Sequence, residues 1–208
     1  MNCSGTIVEL AKRYEGPFVS AANSWSREQQ GGALCRSCIR LNRLIFPQPL
    51  DVVLMQLPDR ISYSNVFYGG VGVIHVALLD AIKSHLVDFA IGRCYSAKGQ
   101  EYSDYRSIYS RNVLPLRIAP LGRPEMRRCI RCSECGIWSV SAEYLYVVRR
   151  EFCGCEVIQD SISRIYLSST LAERIDWDRF SDLVPRRIPV YEQRLGGDPC
   201  PEHIWEHQ

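Results

Sequence analysis

Lysine is nearly missing from this sequence of 208 residues. Lys12, Lys83 and Lys98 are the only ones, and arginine carries the rest of the basic charge, as in an arginine-favouring genome. The formal net charge is only +2, so charge alone gives no strong pull toward nucleic acid or a membrane surface. Long apolar runs are also missing. None approaches the ~20 residues of a membrane-spanning helix, which excludes a helical membrane anchor from the expectations. The start, Met1-Asn2-Cys3-Ser4-Gly5, lacks a basic stretch followed by an apolar core, so no secretory signal is expected. The expected compartment is the reducing cytoplasm, where clustered cysteines serve as metal ligands or redox groups sooner than as disulfides.

The familiar catalytic signatures are absent too. There is no Gly-x-Ser-x-Gly, no His-Glu-x-x-His and no Rossmann glycine pattern. Gly69-Gly70 and Gly72 are not followed by the Lys-Ser/Thr of a phosphate loop, so they read as a turn before a strand. Asp176 and Asp178 flank Trp177 and read as a solvated face rather than as an acid/base pair. His75 and His85 read as structural histidines of a helix, and His203 and His207 as part of a terminal tail. No enzyme activity is expected.

Cysteine, by contrast, is plentiful and patterned. Cys35-Arg36-Ser37-Cys38 and, far downstream, Cys132-Ser133-Glu134-Cys135-Gly136 each hold a Cys-x-x-Cys pair. Two such pairs supply the four thiolates of a closed tetrahedral zinc site. The expected cofactor is therefore a structural Zn2+ on Cys35, Cys38, Cys132 and Cys135, stapling the early chain to its middle. A more local set, Cys129, Cys132, Cys153 and Cys155, competes with it and costs less loop closure. Cys94 reads as a buried, inert cysteine. Redox cycling of a Cys-x-x-Cys pair is a third possibility.

Around these cysteines the pattern predicts an α+β protein: a mixed sheet with a few helices and a zinc ribbon-like cysteine staple. Residues 6–14 read as a short helix. Ala77, Leu78, Ala81, Ile82 and Leu86 make a helical stripe, with strands expected before it and at 87–95. Residues 96–104 read as a polar loop. Ser168, Ser169 and Thr170 offer helix caps, Thr170 with Glu173 fitting a capping box, ahead of Leu171, Ile175 and Phe180, with strands at 164–167 and 187–191. That gives two related strand–helix–strand units. The expected organisation is one domain over 1–195, with knuckles at 35–38 and 129–136, and a tail over 196–208.

The order of these features resembles the double-CXXCG motif family: Trp25, a Cys-x-x-Cys knuckle, a proline-marked segment with Pro47 and Pro49, a mid-chain helix, Cys132-x-x-Cys135-Gly136, and a terminal strand–helix–strand. The first knuckle departs from the family pattern, with Ile39 in place of the glycine. Members of that family, known as myxobacterial paralogues, are described as immunity proteins for the toxins of swarming-inhibition systems. The resemblance implies that Cys35, Cys38, Cys132 and Cys135 hold metal, and that the protein binds and neutralises a cognate protein toxin stoichiometrically. It carries over no toxin-contact residue. Trp177, Tyr191 and the exposed arginines are candidates by residue type alone. The alternative is a zinc-ribbon protein that binds nucleic acid or a transcription partner through the Arg127-Arg128-Cys129-Ile130-Arg131 run. The near balance of acidic and basic residues makes nucleic acid the less expected partner.

Overall fold

The computed structural model describes residues 3–13, 19–21, 35, 37–38, 51–57, 61–67, 71–152 and 154–202. The strands are β1 (Cys3–Lys12), β2 (Val19–Ala21), β3 (Val52–Gln56), β4 (Tyr63–Phe67), β5 (Gly72–His75), β6 (Phe89–Ser96) and β7 (Glu101–Ser110). They continue as β8 (Leu116–Ile118), β9 (Arg128–Arg131), β10 (Trp138–Ser141), β11 (Leu145–Val148), β12 (Val157–Gln159), β13 (Ile165–Ser168) and β14 (Leu183–Tyr191). Only two α-helices accompany them among the described residues, α1 (Val76–Ile82) and the single turn α2 (Ser169–Ala172).

This corrects the expected α+β class with its mixed sheet. Among the described residues strands dominate and curl into barrel-like sheets, with α1 the one helix of useful length. Residues 6–12 are not helical; they lie in β1, and Tyr14 lies outside the described residues. Ile7, Val8, Glu9 and Leu10 are all buried, because β1 sits in mid-sheet with a core on each face. Such a strand shows no apolar–polar alternation. The polar stretch read as a loop belongs from Glu101 onward to β7, whose first half stands in solvent.

The strand topology is what repeats. One set closes into a barrel in the order β2-β3-β6-β7-β5-β4. The other six-stranded sheet runs β8-β11-β14-β1-β13-β12. Taken position by position, every neighbouring pair has the same sense in both. β2 and β8 are antiparallel to β3 and β11, which run parallel to β6 and β14. All further pairs are antiparallel. The first barrel is closed by the parallel β2–β4 pair at Val19 and Val66. The second barrel is a curled sheet rather than a closed one, its edges meeting at the matching place in an isolated parallel bridge between Val113 and Gln159. One strand is out of sequence: β1, from the start of the chain, takes the place in the second barrel that β7 takes in the first.

Packing follows the same correspondence. Val52, Leu54 and Val73 fill the first barrel, and Leu145, Val147 and Tyr166 occupy the matching positions in the second. Leu78 and Ile82 of α1, with Leu171 and Ile175 at the matching positions after β13, meet in one shared cluster between the barrels. His75 caps α1 through Nδ1, which accepts from the Ala77 N–H at 3.1 Å. Ser168, its counterpart, caps α2 by accepting from the Leu171 N–H. Of the three residues expected to offer a cap, Ser168 is the one that serves, and Thr170 lies inside the helix.

Ser163 departs from this economy. It has a left-handed backbone (φ 65°), it is buried, and its hydroxyl has no hydrogen-bond partner. A non-glycine residue there costs roughly 1–2 kcal/mol, and an orphaned buried hydroxyl roughly 1–3 kcal/mol. Glycine loses only about 0.4–1 kcal/mol through its freer unfolded chain. Ser163→Gly is therefore expected to raise the melting temperature by roughly 2–4 °C, about 1 kcal/mol in a chain of this size. A fall in melting temperature would show that the hydroxyl holds something the fold needs.

Candidate metal centre

The two barrels place their knuckles in corresponding loops. Cys35 and Cys38 lie between β2 and β3. Cys132 and Cys135 lie between β8 and β11, at the turn of the β9–β10 ribbon. In the ribbon Arg131 pairs with Trp138 and Cys129 with Val140. The turn closes with the Gly136 N–H donating to the Cys132 carbonyl at 3.0 Å and the Cys132 N–H to that of Ile137 at 2.9 Å. Gly136 adopts φ 74°, the left-handed conformation for which glycine is preferred. This explains the glycine that follows the second pair.

The sulfurs converge. Cys35 Sγ lies 3.7 Å from Cys132 Sγ, and Cys38 Sγ 3.5 Å from Cys135 Sγ. The ligand atoms of all four lie within 4.8 Å of one another. Zn–S bonds of ~2.3 Å make a tetrahedron with sulfur–sulfur edges of about 3.8 Å, so the set fits a single ion. Each barrel contributes one pair, and the ion would sit on the seam. The Cys132 thiol is pulled down to about 6 because the backbone N–H groups of Cys135 and Glu134 donate to its sulfur. Such donors stabilise a thiolate ready for metal. Ser37 Oγ donates to Glu134 Oε2 at 2.5 Å, a second tie between the knuckles.

The competing local set is divided in space. Cys132 belongs to the four-thiol cluster. Cys129 and Cys155 pack against the interior of the second barrel, and Cys153 lies outside the described residues. The Cys200 thiol, which no sequence pattern marked, hydrogen-bonds with the Cys129 sulfur. Cys94 is buried in the first barrel, and burial pushes its thiol up to about 12.

Several other candidates have structural roles. His85 Nδ1 pairs with Glu156 at 2.5 Å. Asp176 Oδ1 accepts from the Asp178 N–H and caps a short 3-10 turn. Trp177 gives its indole N–H to the Ala172 carbonyl and packs on the shared core. Tyr191 stacks edge-on against Tyr146. Neither aromatic stands free as an anchor. Trp25, Ile39, Pro47, Pro49, Gly69, Gly70, His203 and His207 lie outside the described residues.

Sequence reasoning also missed a buried ionic cluster. Arg117 on β8 is 1% exposed and reaches Glu151, Asp198 and the carbonyls of Pro201 and Glu202. It anchors the segment after β14, where Asp198 and Cys200 are buried. The available signal was a single arginine inside the apolar run Leu114-Pro115-Leu116-Arg117-Ile118-Ala119.

Among the described residues no helix is long and apolar enough to cross a membrane. Comparison with protein-family models finds no match, and comparison with curated proteins finds none either.

Proposed function

We propose that the four cysteines hold a structural Zn2+ and that this protein is an immunity protein, neutralising a cognate bacterial toxin by stoichiometric binding. The observation that carries the reading is the convergence of two distant Cys-x-x-Cys pairs on one tetrahedral set, the feature on which the resemblance to the double-CXXCG family rests. A set of four thiolates closes the coordination sphere and leaves no position for a reacting water, which supports a scaffold rather than an active site. The metal would hold the two barrels in one arrangement and so fix the surface they present together. Pre-organisation of that kind favours tight binding.

The test is a protection assay in a heterologous host. A candidate toxin, chosen because its production arrests growth of the host, is produced alone and together with this protein. Co-production of this protein is expected to restore growth in proportion to dose, with a 1:1 complex in native mass spectrometry. Protection by far less than one equivalent would point to turnover. Absence of protection with both proteins present would remove the immunity reading.

A further inference from the structure

The arm that carries the second knuckle is exposed, apolar and positive at once. Leu121, Met126, Ile130 and Tyr144 are 59%, 54%, 57% and 46% exposed. The pieces are linked. The Ala119 N–H donates to the Tyr144 carbonyl at 3.0 Å. A methyl group on Gly122 would meet the Tyr144 ring at 2.9 Å. Arg127 donates to the Gly122 carbonyl at 2.9 Å. A 3-10 turn at Pro124–Met126 then leads into β9. In β9, Cys129 lies opposite the buried Val140. Strand alternation therefore sends Arg128 and Ile130 to the other face, and both are exposed.

Between positions 121 and 131 there are four arginines, Arg123, Arg127, Arg128 and Arg131, against the single acid Glu125. Glu143 lies beside Gly122, and Glu134 follows in the knuckle. Arginine mixed with large apolar groups is the composition of protein contact centres. A phosphate backbone would satisfy the arginines but leave the four apolar side chains in water. The same positive charge disfavours docking on the basic cleft of a nuclease-type partner, where like charges would meet.

We propose that this face is the contact surface for a protein partner whose own surface is acidic and partly apolar. The inference rests on the immunity reading and names the surface through which it would work.

The test uses the full-length, metal-loaded protein and the purified, inactivated toxin against which it protects. Leu121→Asp and Arg128→Glu are compared with Met55→Asp and Val87→Asp, which change exposed apolar residues elsewhere. Circular dichroism and metal content confirm that each variant is folded. The face variants are expected to weaken binding by about 100-fold, and the other two to stay within about threefold. Changing acidic residues of the partner to lysine is expected to recover binding to Arg128→Glu. If the wild-type complex forms but the face variants bind as wild type, the surface is wrong and the immunity reading survives. If no wild-type complex forms, both fall. Binding of a duplex or single-stranded oligonucleotide that weakens steeply with salt and is lost in the same variants would overturn the protein partner in favour of nucleic acid.

Discussion

The purified protein is expected to contain one zinc ion per chain, and Cys35→Ser and Cys132→Ser are each expected to lose it. The expectation follows from the seam. Neither knuckle can close a tetrahedron alone, and the paired sulfurs lie 97 residues apart in sequence. A crosslink closing a loop of that size removes roughly 4–5 kcal/mol of unfolded-chain entropy. The gain is a linkage effect, since binding favours the folded state only while its ligands are present and deprotonated. Chelation, or either substitution, is therefore expected to lower the melting temperature by roughly 8–20 °C in a chain of this size. Metal content is read by elemental mass spectrometry, and unfolding by calorimetry with and without chelator. Zinc kept by Cys35→Ser but lost by Cys132→Ser would confine the site to the second barrel and dissolve the seam. A full complement of iron instead of zinc would leave the seam intact and change only the ion, because four thiolates suit both.

The candidate site was more legible in the sequence than the fold was, and the difference has a physical cause. A Cys-x-x-Cys pair is a local constraint: two thiolates must face one ion from one turn, so the spacing and Gly136 appear in adjacent letters. That two such pairs share an ion is a long-range fact; tetrahedral coordination requires a second pair, and the choice between Cys35-x-x-Cys38 and the local cysteines comes only from the fold. The sheet order has no such local mark. Residues 6–14 read as a short helix because β1 is packed on both sides and shows no alternation, with Ile7 against the interior of the second barrel and Val8 and Leu10 against the cluster between the barrels. The short helices were visible through Leu78 and Ile82, and through Leu171 and Ile175. Their weight in the fold was overestimated, because the periodic stretch of the second ends after a single turn and passes into the 3-10 turn at Trp177. Nothing in a linear pattern could show that β1 completes a barrel built mostly from the last third of the chain. Its place follows from pairing with β13 and β14.

Replacing Arg117 by methionine is expected to be the most damaging single change outside the metal centre. Its Nε and Nη2 donate to the two carboxylate oxygens of Glu151, each at 2.7 Å. This is the bidentate geometry for which arginine is suited and lysine is not. Its Nη1 reaches Asp198 Oδ2 at 3.3 Å, and Nη2 reaches the Glu202 carbonyl at 2.8 Å. The Asp198 side chain is fully buried. It also accepts from the Tyr146 hydroxyl at 2.9 Å and from the Cys200 N–H at 2.9 Å. Burial disfavours the Arg117 charge, but the hydrogen bonds and charges of Glu151 and Asp198 outweigh it and keep the guanidinium protonated. Methionine matches much of the volume, strips Glu151 of the Arg117 counter-charge and leaves Asp198 to Arg194 alone, whose Nε donates to Asp198 Oδ2 at 3.2 Å. Breaking a buried pair from one side costs about 3–5 kcal/mol, or roughly 6–20 °C of melting temperature at this chain length. The loss has a local signature, because the same guanidinium holds the backbone at Pro201 and Glu202. Amide exchange at residues 195–202 is expected to speed up more than exchange in the first barrel. Arg117→Lys keeps the charge but not the fork and is expected to fall between. Adding Glu151→Gln to Arg117→Met should recover part of the loss, since the two sites share one interaction. If Arg117→Met melts within a degree of the parent and its terminal amides exchange no faster, the cluster is not what ties the end of the chain to the second barrel.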